Sequence, residues 1–251
     1  MTTDIDRLEV LETGALKKTG DAYHLVALGE DHIDQILALE DIAFRSLGAD
    51  EQHYLLRKDR AYFEKHFAAG GTMLGIAHEG RLIAQSIVIN PTAARPATGM
   101  SDMKIDADAD ALTVLGGVIV DPAFRGNRLM DAMVRRWLAD AGKNGRTHAL
   151  AEVAVENTHS WSIFLKEGLH IESIGADPAD KTDLYNMHGH IPSLKAVFNA
   201  SARRTGRVAH LDLARQKKLL AKGRKGVAFD PAAGMLTFAP RKKKDCAGFR
   251  I

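Results

Sequence analysis

Between Leu112 and Val120 the chain is almost wholly apolar, and Thr113, Val114, Val118 and Ile119 are β-branched, so this run predicts a buried strand. Pro122 cannot donate to a ladder and ends it. From Arg125 the spacing turns helical, with Leu129, Met133, Val134, Trp137, Leu138 and Ala141 on one stripe and Gly142 as a candidate stop. Upstream, Tyr23 to Leu28 alternates as a first strand. Ile33, Ile36, Leu37, Leu39 and Ile42 to Phe44 have helical spacing, and a second helix is expected from Glu51 to Ala68. Met73 to His78 and Arg81 to Asn90, joined by Glu79-Gly80, predict a hairpin. Downstream, Thr147 to Val155 reads as a buried strand, Asn157 to Lys166 as a short helix stopped by Gly168, and Leu169 to Ile174 and Asp183 to His190 as two last strands. The expected fold class is α/β (mixed α+β): a central mixed sheet of about seven strands with helices on both faces.

The divisions expected are a loose lead-in over residues 1–20, a main domain over 21–191, and an extension over 192–251. Pro91 to Asp110 is a long loop rich in Ala, Asp and Pro. In the extension, Ser193 to about Arg203 and His210 to Ala221 are expected as helices, and Val227 to Phe229 with Met235 to Phe238 as a hairpin. Alone, such a piece would be marginally stable, so it is expected to pack on the main domain or on a second subunit.

Composition changes this picture little, but charge does. The net charge of +2 conceals fifteen Lys and Arg against three Asp after Pro192. A basic appendage on an acidic body either docks on that body or meets an acidic partner, nucleic acid included. The single cysteine, Cys246, excludes an internal disulfide framework and an all-cysteine metal site. The N-terminus lacks a signal-peptide profile and no apolar run approaches membrane-spanning length, so a cytoplasmic protein without a membrane partner is expected.

Candidate chemistry centres on the step from strand to helix. Gly126, flanked by Arg125 and Arg128, precedes a helix start, where unpaired N–H groups and partial positive charge suit a phosphate. The stretch Val120 to Leu129, V-D-P-A-F-R-G-N-R-L, resembles the pyrophosphate loop of the GNAT superfamily of N-acetyltransferases. Asn157, Ser160, Phe164, Gly168 and Leu169 resemble that family's later helix and following strand, and Gly116-Gly117 falls where the family has a β-bulge. The element order from Tyr23 to His190, about two thirds of the chain, matches as well.

This resemblance implies acyl transfer from acetyl-CoA as co-substrate, with no metal, to an amine-bearing acceptor (a small molecule, a protein lysine or an N-terminus). Backbone amides of Gly126, Asn127, Arg128, Leu129 and Met130 would hold the diphosphate, with charge from Arg125 or Arg128. The backbone of Val118, Ile119 and Val120 would pair with the pantetheine arm, the Val118 amide polarising the thioester carbonyl. Asn157, Ser160 and Phe164 complete the expected coenzyme contacts. Two departures stand out: Arg128 and Met130 occupy positions where the family writes glycine, and Phe164 stands where many members carry a tyrosine acid.

Glu152, mid-strand in A-L-A-E-V-A-V, is either a general base, directly or through water, or a structural hydrogen-bonding group. Tyr185 is a lesser candidate for the acceptor site. His188 and His190 share a strand face and could form a metal pair, but no third ligand is evident. Phe44 to Tyr54 and Ile174 to Tyr185 hold Arg45, Asp50, Glu51, His53, Asp177, Asp180 and Asp183, an acid-rich set that favours a cationic acceptor. Phe164, Arg128 and the basic C-terminus also motivate an alternative, a catalytically weak binding module that senses coenzyme A or engages nucleic acid.

Overall fold

The computed structural model describes residues 8–49, 51–52, 55–100, 103, 105–177, 181–194, 198 and 205–242. It is a mixed α/β structure that divides into two compact units, residues 1–90 with 115–137, and residues 91–114 with 138–251.

In the first unit β1 (Val10–Ala15), β2 (Ala22–Leu28), β3 (Thr72–His78), β4 (Arg81–Ile89) and the later part of β5 (Leu112–Val120) are successive neighbours. The expected hairpin is present, with φ of 47° at Glu79 and 70° at Gly80. Two positive φ values match the right-handed twist of the strands it joins. Helices α1 (Ile33–Arg45) and α2 (Arg60–Ala68) supply Ile33, Ile36, Leu39 and Phe63 to a core closed by Met73, Ile87 and Ile119 of the strands. Helix α3 (Leu129–Lys143) begins in this unit, and all six residues of its expected stripe are buried.

In the second unit the start of β5 pairs in parallel with β6 (His148–Ala154) over Leu112↔His148, Thr113↔Ala149 and Val114↔Leu150. The strand order then runs β6-β8-β7-β10-β11-β9, with β7 His170–Ala176, β8 Asp183–His190, β9 Gly206–Ala209, β10 Arg224–Asp230 and β11 Met235–Pro240. Helix α4 (Thr158–Glu167) is capped by Asn157, whose side chain accepts from Ser160 N, and it stops at Gly168 with φ 105°. Trp161 of α4 is fully buried, edge-on to Tyr185 at 5.5 Å and to Phe229 at 4.6 Å.

Several expectations are corrected. Residues 10–15 form a strand rather than a lead-in. None of the six is buried, so β1 shows no apolar alternation, and its pairing with β2 is what defines it. Helix α2 starts at Arg60, not Glu51. Asp59 caps it by accepting from Tyr62 N at 2.8 Å, while the preceding Lys58 N is taken by the Glu40 carboxylate at 3.1 Å. Helix α3 starts at Leu129 rather than Arg125 and runs past Gly142, and the left-handed residue that follows it is Gly145, at φ 74°. The helix expected after Ser193 lies largely outside the described residues; of its span, Phe198 forms a bridge with Arg241.

After Pro192, α5 (Leu213–Ala221) and the β10–β11 hairpin are present, and β9 adds a strand that short sequence windows did not reveal. These elements are built into the second unit. Gly226 of β10 pairs with Ile171 of β7, and the buried Gln216 of α5 accepts the Tyr185 hydroxyl at 2.8 Å.

Candidate functional site

In the first unit the expected phosphate loop has a defined shape. Asp121 ends β5, is buried, and caps one short turn, Pro122–Phe124, by accepting from Ala123 N at 2.9 Å; Arg81 binds its other oxygen at 3.2 Å. Gly126 follows at φ 84° and Arg128 at φ 61°. Neither angle belongs to a right-handed helix, which is why α3 waits until Leu129. A helical first turn leaves the amides of Leu129 and Met130 with no acceptor one turn back, and Ala132 N reaches back to Arg128 O at 3.2 Å. Gly126 and Arg128 are exposed, whereas Asn127 is buried and its Nδ2 donates to Phe124 O at 2.9 Å. Arg125 is directed to the end of α1, where its Nη2 donates to Ser46 Oγ at 3.2 Å.

Arg128 stands where the resembling family writes glycine, yet the backbone there adopts the left-handed conformation that glycine favours. Just upstream, Gly117 has φ 54° inside β5, and a Cβ added there would lie 2.7 Å from Ile87 Cδ1. A left-handed glycine within a strand is the signature of a bulge, and Val118 beyond it is half-buried.

In the second unit, Asn157 Oδ1 is taken by the helix cap, so its NH2 is the group it can offer a ligand. Ser160 lies in the first turn of α4, and Phe164 is buried in that helix. Glu152 is half-buried on β6 opposite Asn186. Tyr185 is a core residue: its ring is fully buried against Trp161, its hydroxyl is held by Gln216, and burial raises its pKa.

His188 and His190 do share a face, and His188 has company that the sequence did not show. His148 Nδ1 lies 2.9 Å from His188 Nε2, and His170 packs edge-on to His188 at 5.1 Å. His170 Nε2 is 2.8 Å from Glu172 Oε2, which also receives Arg241 at 2.9 Å, and Lys225 Nζ reaches Glu172 Oε1 at 2.5 Å. His190 is turned to Ser193 Oγ at 2.7 Å.

Burial alone would raise the Glu172 carboxyl; His170 and then Lys225 hold it well below the usual carboxylate range. Burial pushes His188 down to about 2 and also lowers His148 and His170. The ligand atoms of His170, Glu172 and His188 lie within 4.8 Å of one another, a spacing that could hold a metal ion. The two cations already on Glu172, buried Lys225 and half-buried Arg241, oppose a divalent ion, and the cluster forms an ion-pair network joining β7 to β10 and to the residue after β11.

Of the acid-rich acceptor set, Asp183 is met by Lys217 at 3.0 Å, while Arg45 pairs with Asp41, an acid outside the set. Asp50, His53, Tyr54 and Asp180 lie outside the described residues. Sequence reasoning missed Glu40, which is buried in α1 and whose carboxyl burial raises, despite the Lys58 amide. Its signal was an acid on the apolar stripe, four residues after Ile36. Gln85 in β4 was missed for the same reason: it is fully buried, and neither amide atom has a hydrogen-bond partner among the described residues.

No family model matches the chain, and no curated protein matches it in sequence. Solved structures do match. An N-acetyltransferase from Staphylococcus aureus Mu50 is 15% identical over 67% of this chain and 98% of its own, with a TM-score of 0.51. The GNAT domain of S. lividans PAT is 15% identical over 71% and 96%, with a TM-score of 0.52. The yncA protein of Salmonella typhimurium, whose structure holds its cofactor acetyl-CoA, is 16% identical over 67% and 94%, with a TM-score of 0.50. At such identities the likeness is one of fold, and this chain has the fold of the GNAT superfamily of N-acetyltransferases.

Proposed function

We propose that the protein transfers an acyl group, acetyl in the simplest case, from acyl-CoA to an amine by direct attack in a ternary complex. The observation that carries this reading is the left-handed backbone at Gly126 and Arg128 immediately before α3. A loop that keeps this shape even with arginine in place of glycine presents its amides as a phosphate-binding turn does. Amides from Gly126 to Met130 take the diphosphate, and the backbone of Val118 to Val120 takes the pantetheine arm.

In the chemical step the acceptor nitrogen bonds to the thioester carbon while the Val118 amide stabilises charge on the carbonyl oxygen. The C–S bond breaks, CoA leaves as thiolate, and the nitrogen's proton passes to Glu152 or to water. Positioning supplies much of the rate. Asn157 contributes its NH2 to the arm, and Ser160 lies in the same helical turn. Phe164 offers no proton, so the thiolate leaves unprotonated or takes one from water. A primary amine of a small molecule, a lysine or a protein N-terminus is the acceptor class, and no metal is required.

The buried phenyl of Phe164 favours one second reading, a module that binds coenzyme A with little turnover. Mass spectrometry of acetyl-CoA incubated with an amine panel separates the two. Amine-dependent release of CoA with a mass gain of one acetyl group on the acceptor is expected. Saturable CoA binding without consumption across the panel would establish the binding module instead.

A further inference from the structure

The strand that the sequence concealed, β1, leads to a turn that reaches the phosphate loop. Leu16 N donates to Asp21 O and Gly20 N to Leu16 O, both at 2.8 Å, and Leu16 is buried, so the turn between β1 and β2 is fixed. Its Lys18 N donates to Asn127 Oδ1 at 2.9 Å. Asn127 is itself buried and tied to Phe124 O, and Arg136 of α3 donates to Leu11 O of β1 at 2.6 Å. The Lys18 ammonium donates to Arg125 O at 2.6 Å. It lies over Gly126: a Cβ built on that glycine would be 3.0 Å from Lys18 Cε and 3.2 Å from Nζ. Arg125, by contrast, directs its guanidinium to Ser46.

Resting on the coenzyme reading above, we infer that the β1–β2 turn is part of the phosphate site and that Lys18 is a binding residue for the coenzyme's diphosphate. Its backbone is anchored by Asn127, and its ammonium donates, among the described residues, to a neutral carbonyl on an exposed surface. A diphosphate arriving at Gly126 offers that ammonium a charged acceptor, and a hydrogen bond to a charged group is the stronger one. The cation is a compact point charge rather than a fork, so it recognises the diphosphate by proximity and not by shape. Gly126 is favoured for its left-handed φ, and a side chain there would also push aside the flexible end of Lys18.

Calorimetric titration with CoA and with dephospho-CoA, on the wild type and on Lys18→Met, Lys18→Arg and Lys17→Met, tests this. Lys17 is the exposed neighbour and controls for general charge. Lys18→Met is expected to weaken both ligands by about tenfold, the value of one charge-assisted hydrogen bond. Lys18→Arg and Lys17→Met should stay within about threefold of the wild type, with thermal midpoints unchanged. Four outcomes overturn the assignment: Lys18→Met within twofold of a wild type that binds, a loss with CoA but not with dephospho-CoA, an equal loss in Lys17→Met, or a lowered midpoint that accounts for the loss. If the wild type binds neither ligand, the coenzyme reading itself fails, and that result is distinct from the other four.

Discussion

The first unit holds a loop between β5 and α3 whose side chains are ordinary and whose backbone is not: left-handed at Gly126 and Arg128, with a helical first turn behind it. The second unit holds an array that a search for reactive side chains would prefer, with His148, His170, Glu172, His188, Lys225 and Arg241 in hydrogen-bonding or ring contact. The array is buried but for the half-buried Glu172 and Arg241, and its charges answer one another. The loop exposes Arg125, Gly126 and Arg128, and the amides of the helical turn behind it have no acceptor one turn back. Available hydrogen-bonding capacity, not the density of titratable residues, marks the candidate site.

The sharpest way to break this contrast is Glu172→Ala. It leaves buried Lys225 and half-buried Arg241 without their carboxylate, and removal of one partner from a buried pair typically destabilises by about 3–5 kcal/mol. Denaturant unfolding should show that loss, while CoA affinity of the protein that remains folded should be unchanged. Unimpaired stability with lost CoA binding would move the site into the second unit.

Acid should act on the same array next. The folded-state pKa of His188 is about 2, lowered by burial first and then by His170, against about 6.5 when unfolded. His148, His170, Glu172 and Arg241 bear on it, and Glu172 alone acts in the opposite sense. A depressed histidine means that the unfolded chain binds the proton first. Its contribution is therefore complete above pH ~6.5 and is lost as pH falls. At pH 5 each imidazole that stays neutral is a loss of about 2 kcal/mol. Glu172, held low, withdraws its share only below the ordinary carboxylate range of about 4.3. Unfolding curves between pH 7 and 5 should fall in midpoint, and His188→Leu should flatten that slope. Parallel slopes in the two proteins would remove the imidazole from the account.

What the sequence made legible follows from which interactions are local. The β5 boundaries, Leu112 and Val120, were readable because an apolar run rich in β-branched residues ends two residues before a proline. Helix α4 was readable because Asn157 and Gly168 are chemical stops, and the β3–β4 hairpin because Glu79-Gly80 suits a tight turn. Strand β1 was hidden because its identity lies in pairing rather than in apolar contrast, and β9 is four residues long and defined by β11. The array around His188 was half visible, as a His188 and His190 face. Its other members come from β6, β7, β10 and the residue after β11, and no spacing rule joins them. The basic extension divides similarly: its cations Lys217, Lys225 and Arg241 find acids on β7 and β8, which the charge asymmetry allowed but could not locate.

The smallest expected effect bears on the loop. In Arg128→Gly the backbone at φ 61° loses a steric cost of about 1–2 kcal/mol, partly offset by about 0.4–1 kcal/mol of added freedom in the unfolded chain. A net gain in stability of at most about 1.6 kcal/mol is expected. If the amides rather than the guanidinium hold the phosphate, CoA affinity should change by less than about threefold, an exposed charge contributing little. A tenfold loss would mean that Arg128 binds the ligand through its side chain, and that its left-handed strain is maintained for that contact. The two readouts separate because relief of strain acts on the unliganded protein, whereas a lost phosphate contact acts only on the complex.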